Sequence, residues 1–97
     1  MIRTKTISKI ERTMAKVISI KNLTKWGFEK VGEDDYYEFK IKQYGGYSDF
    51  VCFHYEKRRL IVQYRLNQIE LYDCDYEKAN KALSLCGLPA IDKLQKE

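Results

Sequence analysis

Cysteine and histidine are the residues of this chain best suited to nucleophilic or metal chemistry. Cys52 and His54 stand two positions apart, so within a strand their side chains project to the same face. A thiol beside an imidazole can act as nucleophile and base, or hold a metal ion with further ligands. The remaining thiols, Cys74 and Cys86, form no close doublet, which a zinc site normally has. The sequence therefore predicts reduced, mostly buried thiols, no metal site and no cofactor.

Two other short motifs could do chemistry, and both are more typical of turns. The carboxylates of residues 33–35 lack the alternating Asp/Asn ligands of a calcium loop. Gly45-Gly46 lacks the lysine and hydroxyl of a phosphate-binding loop and is not followed by a helical pattern. We predict a solvated turn and a hairpin turn respectively, and no catalytic residues. An enzyme is the least favoured class.

Tyrosine is over-represented, with eight residues in 97. Alternation buries about half of them in a sheet. Tyrosine and arginine are enriched where proteins bind proteins, although tyrosine also suits strands and scattered exposed aromatics need no function. The predicted protein-binding residues lie at strand ends, in turns or on an outward sheet face: Tyr36, Lys40, Lys42, Tyr44, Tyr47, His54, Arg65 and Tyr72.

The charge is unevenly distributed along the chain. Residues 1–30 carry a net charge of +6 and the remaining 67 a net charge of −2. A basic arm on a mildly acidic body can approach nucleic acid or an acidic protein surface, but it is more typical of a solvated helix face or a frayed terminus. Outward bases of the sheet alternate with acids, which disfavours a continuous nucleic-acid surface. The alternative, nucleic-acid-binding residues are Arg3, Lys5, Lys9, Arg12 and Lys16.

Capping and turn signals divide the chain into short elements. Ser19 or Asn22 caps a helix that ends at Gly27, and Phe28–Val31 is a candidate edge strand. The four stronger strands are the alternating segment around residues 37–41, then Phe50–Tyr55, Leu60–Leu66 and Gln68–Tyr72. Leu66 is expected on the buried side, with a break or bend at Asn67.

A second helix runs from Asp73 or Asp75 to about Cys86, and Gly87 ends it. Ile91 and Leu94 predict a last helical turn. The fold class is α+β, a four- to five-stranded antiparallel β-meander flanked by N-terminal and C-terminal helices. We predict a single domain over residues 1–97, with residues 1–16 as a basic helical or flexible extension and residues 18–90 as the compact body.

Three segments together resemble small bacteriophage and mobile-element proteins: LTKWGFEKV at residues 23–31, DYY at 35–37 and ALSLCGL at 82–88. The resemblance covers residues 18–90 and rests on helix ends and core positions. It implies no catalytic residues. It implies a compact protein that binds one host protein, as inhibitors of bacterial defence such as anti-CRISPR proteins do.

We therefore predict a non-enzymatic, phage-encoded module that binds a host protein in the cytoplasm. The sequence contains neither an apolar run long enough to cross a membrane nor a secretory signal. A nucleic-acid-binding protein is the alternative. A protein that sequesters a nucleotide is a third class and requires a pocket or an oligomer. The edge strand near Phe28–Val31 also makes a homodimer possible.

Overall fold

The computed structural model describes residues 16–97, and these form two helices, five strands and one 3₁₀ turn. In chain order they are α1 (Ile20–Lys25), β1 (Glu29–Val31), β2 (Tyr36–Gln43), β3 (Ser48–His54), β4 (Arg59–Tyr64), β5 (Asn67–Leu71), α2 (Tyr76–Leu85) and the 3₁₀ turn (Ile91–Lys93). The strands form one sheet in the order β1-β2-β3-β4-β5, and each neighbouring pair is antiparallel. The α+β prediction is confirmed.

Both helices begin at a side-chain cap that the sequence signalled. The Ser19 hydroxyl accepts a hydrogen bond from the Asn22 amide at 3.1 Å, and the Asp75 carboxylate accepts one from the Lys78 amide at 2.8 Å. Each cap pairs an amide of the first turn that has no partner within the helix. Ser19 and Asp75 are therefore the residues that set where the helices start.

Both helices also end in the same way, at a glycine with positive φ. Gly27 has a φ of 97° and Gly87 a φ of 81°. The next amide, of Phe28 or Leu88, donates back to the carbonyl of Leu23 or Leu83 at 2.9 and 2.8 Å. All four of these apolar residues are buried, so each Schellman ending also fixes an apolar contact.

The core lies between the inner face of the sheet and the two helices. Inward residues of β2, β3 and β4 alternate along each strand and are buried together with Leu23 and Leu83 from the helices. Trp26, the C-cap of α1, and Tyr76 of α2 meet above the sheet with ring centroids 6.1 Å apart. Burial of apolar side chains, at about 1.5–3 kcal/mol each, is the main source of stability in such a layer. Both helices therefore occupy one side of the sheet.

The connection between β4 and β5 differs from the prediction. The strands are joined by the two residues Arg65 and Leu66, and Tyr64 pairs directly with Asn67. Arg65 adopts a φ of 59°, and Leu66 is fully exposed at 101%. The predicted inward position of Leu66 is wrong because the tight turn reverses the chain one residue earlier, and Asn67 begins the next strand.

Candidate functional site

The side of the sheet opposite the helices is the first candidate surface, and we call it the outer face. Strand alternation places half-buried and exposed side chains there. The register aligns Glu38, Cys52 and Ile61 across three strands, and Lys40, Phe50 and Gln63 in the next row. The outer face consists of Tyr36, Glu38, Lys40, Phe50, Cys52, Arg59, Ile61, Gln63 and Glu70, with Tyr72 just beyond β5.

Arg59 organises one end of this face. Its guanidinium lies 6.0 Å from the ring centroids of both Tyr36 and Tyr72, and Nη2 donates to the Tyr36 hydroxyl at 3.3 Å. Nε lies 3.1 Å from a carboxylate oxygen of Glu70, without the alignment of a hydrogen bond. The Tyr72 hydroxyl donates to the same Glu70 carboxylate at 3.2 Å. Two tyrosines, an arginine and a glutamate thus form one connected cluster.

His54 occupies the outer side of β3 but offers little surface, because it is only 8% exposed. The Tyr36 ring packs edge-on against the imidazole with centroids 4.4 Å apart. Nδ1 accepts a hydrogen bond from the Lys57 amide at 3.1 Å. His54, which the sequence predicted as a binding residue, therefore lies beneath Tyr36, where it supports the turn that follows β3.

The three cysteines are free and do not converge. Cys52 is half-buried at the centre of the outer face, whereas Cys74 and Cys86 are buried in the core on the other side of the sheet. Burial raises the pKa of Cys52 and of Cys74 to about 11, so both thiols are protonated at neutral pH. Within residues 16–97, no group of three or more His, Cys, Asp or Glu side chains is placed to hold a metal ion.

A second group of predicted residues gathers at the opposite end of the sheet, around the β2–β3 and β4–β5 turns. The rings of Tyr44 and Tyr47 stack with centroids 4.7 Å apart, and the Lys42 ammonium lies 5.4 Å from the Tyr44 centroid. The Tyr44 hydroxyl and the Arg65 amide both donate to the buried Asp49 carboxylate, at 2.9 and 3.0 Å. The hydrogen bond to Asp49 raises the pKa of Tyr44.

The predicted protein-binding residues thus form two separate clusters. Tyr36 and Tyr72 lie at the Arg59 end, and the residues around Tyr44 lie at the turn end, one length of β2 away. Lys40 is exposed between them. The two clusters are tied to different strand ends, so a single small ligand does not contact both.

Of the alternative basic set, only Lys16 belongs to the part of the chain that the structure describes. Arg3, Lys5, Lys9 and Arg12 lie outside it. Lys16 is exposed and lines a shallow cavity with Asp75, Tyr76 and Glu77. It therefore lies beside the carboxylates at the start of α2.

Sequence reasoning missed Arg59 as a member of the outer face. The available signal was strand parity: Leu60 points inward, so its neighbour Arg59 must point outward. The partners of Arg59 were not available from the sequence, because Tyr36 is 23 residues away along the chain.

No protein-family model matches the sequence, and no curated protein or solved structure matches it. The resemblance to small bacteriophage proteins therefore remains a prediction. Within residues 16–97, no helix is long and apolar enough to cross a membrane. What the chain does must be inferred from its own residues.

Proposed function

We propose that this chain is a small non-enzymatic protein-binding module whose outer face docks on a folded partner protein. The observation that carries the proposal is the Arg59 cluster, in which an arginine lies between two tyrosines at the edge of the half-buried Phe50, Cys52 and Ile61. Arginine and aromatic side chains around an apolar centre are the composition of interaction hot spots.

The charges of the outer face favour a protein over nucleic acid. Lys40 and Arg59 are interleaved with Glu38 and Glu70. A surface that binds nucleic acid instead needs a continuous run of lysines and arginines that neutralises the phosphates. The mixed pattern suits a protein surface whose charges complement it.

The chemistry of the possible nucleophiles supports a non-enzymatic role. The Cys52 thiol has a pKa of about 11 because it is desolvated and faces the Glu38 carboxylate, and a thiol acts as a nucleophile only when ionised. Nδ1 of His54 already accepts a hydrogen bond from the Lys57 amide, so this nitrogen is engaged within the fold. We further propose that the partner is a bacterial host protein and the compartment its cytoplasm. The three free thiols, typical of a reducing compartment, support that compartment.

The experiment is a pull-down from bacterial lysate with the tagged full chain, repeated with nuclease and at two salt concentrations. One stoichiometric protein that survives nuclease and high salt is the expected result. Recovery of nucleic acid alone, lost as salt rises, would favour the alternative function.

A matched pair of variants of this chain then shows which of its surfaces contacts the captured protein. Tyr72 and Tyr47 are equally exposed, at 61% and 60%, but only Tyr72 adjoins the outer face. We expect Tyr72→Ala to weaken binding by about tenfold or more, as loss of a hot-spot tyrosine does, and Tyr47→Ala to leave it unchanged. The reverse order would move the contact to the turn end, and unchanged affinity in both would refute the outer face.

A further inference from the structure

The free edge of the sheet at β5 is a second surface with unused binding groups. Among residues 16–97, β5 pairs with β4 alone, and the pair Tyr64–Asn67 closes a two-residue turn. In such a hairpin the closing pair is hydrogen-bonded and the bonded pairs then alternate. Gln68 and Glu70 therefore direct their backbone N–H and C=O groups away from β4. Both residues are exposed, and β5 contains no proline that would block a further strand.

An apolar groove runs beside this edge on the inner side of the sheet. Its floor is formed by Ile69 and Leu71 of β5, and its wall by Ala82 and Leu85 of α2, around a volume of about 260 Å³. Leu85 is 81% exposed, although it lies on a helix that is otherwise packed on the core. We call this surface the β5–α2 groove.

Two lysines border the groove, and neither forms an ion pair within residues 16–97. They are Lys78 and Lys81. The one ion pair in this range joins Arg59 to Glu70. Lys78 donates only to the backbone carbonyl of Asp73, at 3.4 Å. The groove thus combines an apolar floor with two lysines, and no acidic residue of the described chain lines it.

The charges discriminate between the occupants that could cover this groove. Pairing β5 with β5 of a second copy would bring both lysine pairs together around a two-fold axis. Residues 1–15 carry four bases and one acid, so they too would place like charges beside Lys78 and Lys81. A segment that carries carboxylates is attracted instead.

We propose that the β5–α2 groove binds an extended acidic segment of a partner protein by strand addition. Gln68 and Glu70 would pair with its backbone, as in other complexes that extend a sheet edge. An added strand lies about 4.8 Å from its neighbour, which places its inward apolar side chains against Ile69, Leu71 and Leu85. Its carboxylates would then meet Lys78 and Lys81. The groove is on the inner side of the sheet, and it shares with the outer face only strand β5, whose Glu70 side chain belongs to the Arg59 cluster.

The test is selection of a displayed library of random ten-residue peptides on the full chain, followed by amide NMR of the complex with the enriched peptides. We expect enriched peptides with alternating apolar residues and at least two carboxylates. Their addition should shift the amide signals of Gln68 and Glu70 and leave those of Cys52 and Ile61 unchanged.

Matched variants separate the two parts of the site. Lys78→Gln with Lys81→Gln should weaken peptide binding by about tenfold, whereas Lys21→Gln with Lys25→Gln, two exposed lysines of α1, should not. Leu85→Ala should weaken binding several-fold, whereas Leu66→Ala removes an equally large exposed leucine from the β4–β5 turn and should have no effect.

Three outcomes would overturn the proposal. They are no enrichment over a blank surface, enriched peptides without acidic residues, and amide shifts confined to the outer face or to a self-association interface. Because the Tyr72 and Tyr47 variants leave the β5–α2 groove intact, failure of one site does not imply failure of the other.

Discussion

The outer face makes a specific prediction about the reactivity of Cys52. Its pKa is about 11 rather than an ordinary 9.0, so the ionised fraction at pH 8 falls by about a hundredfold. A more basic thiolate is intrinsically more nucleophilic, which restores about tenfold of that loss. We therefore expect Cys52 to react with iodoacetamide about tenfold more slowly than the same residue in the urea-unfolded chain. The rate should rise about tenfold per pH unit until the pH approaches the pKa.

Two substitutions should change this rate in opposite directions. The carboxylate of Glu38 raises the pKa of Cys52, and the guanidinium of Arg59 lowers it. Glu38→Gln should therefore accelerate alkylation at pH 8, and Arg59→Gln should slow it. Glu56→Gln, in the exposed turn after β3, is the control.

The assay is intact-mass kinetics with peptide mapping to separate Cys52 from the core thiols Cys74 and Cys86. Alkylation of native Cys52 as fast as in the unfolded chain would refute the burial argument. Slower alkylation in Glu38→Gln would refute the assigned electrostatics.

Two further predictions concern the parts of the fold that hold these surfaces in place. Arg58 donates to the Ile18 carbonyl at 2.8 Å and covers the Phe53 ring of the core. Arg58→Ala should therefore lower the free energy of unfolding, measured in urea, by about 2–4 kcal/mol. A loss below about 0.5 kcal/mol, typical of a neutral surface site, would contradict this. Gly87→Ala should cost about 1 kcal/mol for its positive φ alone. Gly27→Ala should cost more, because the added Cβ would lie 3.0 Å from the Phe39 ring, and equal melting temperatures for the two variants would show that the ring moves aside.

Local sequence signals were sufficient to predict the helices and strands and the face of each that is buried. Ser19, Asp75, Gly27 and Gly87 mark the helix ends through interactions within six residues of the chain. Strand alternation assigned the buried residues of β2 to β4, because a side chain's face in a strand depends only on parity. The β4–β5 turn was not predictable in the same way, since Arg65 takes its left-handed conformation without glycine or asparagine at that position.

The candidate sites depend on contacts that no local pattern contains. Arg59 meets Tyr36 and Tyr72 only because the four strands β2 to β5 are in register, and the same packing leaves His54 beneath an aromatic ring rather than on the surface. Likewise, Leu85 and the edge of β5 form a groove only where α2 crosses the sheet. The sequence by itself determined which residues are apolar, which cap the helices and which share one face of a strand. The tertiary structure decided which distant side chains become neighbours, because that depends on strand register and helix placement across the whole chain.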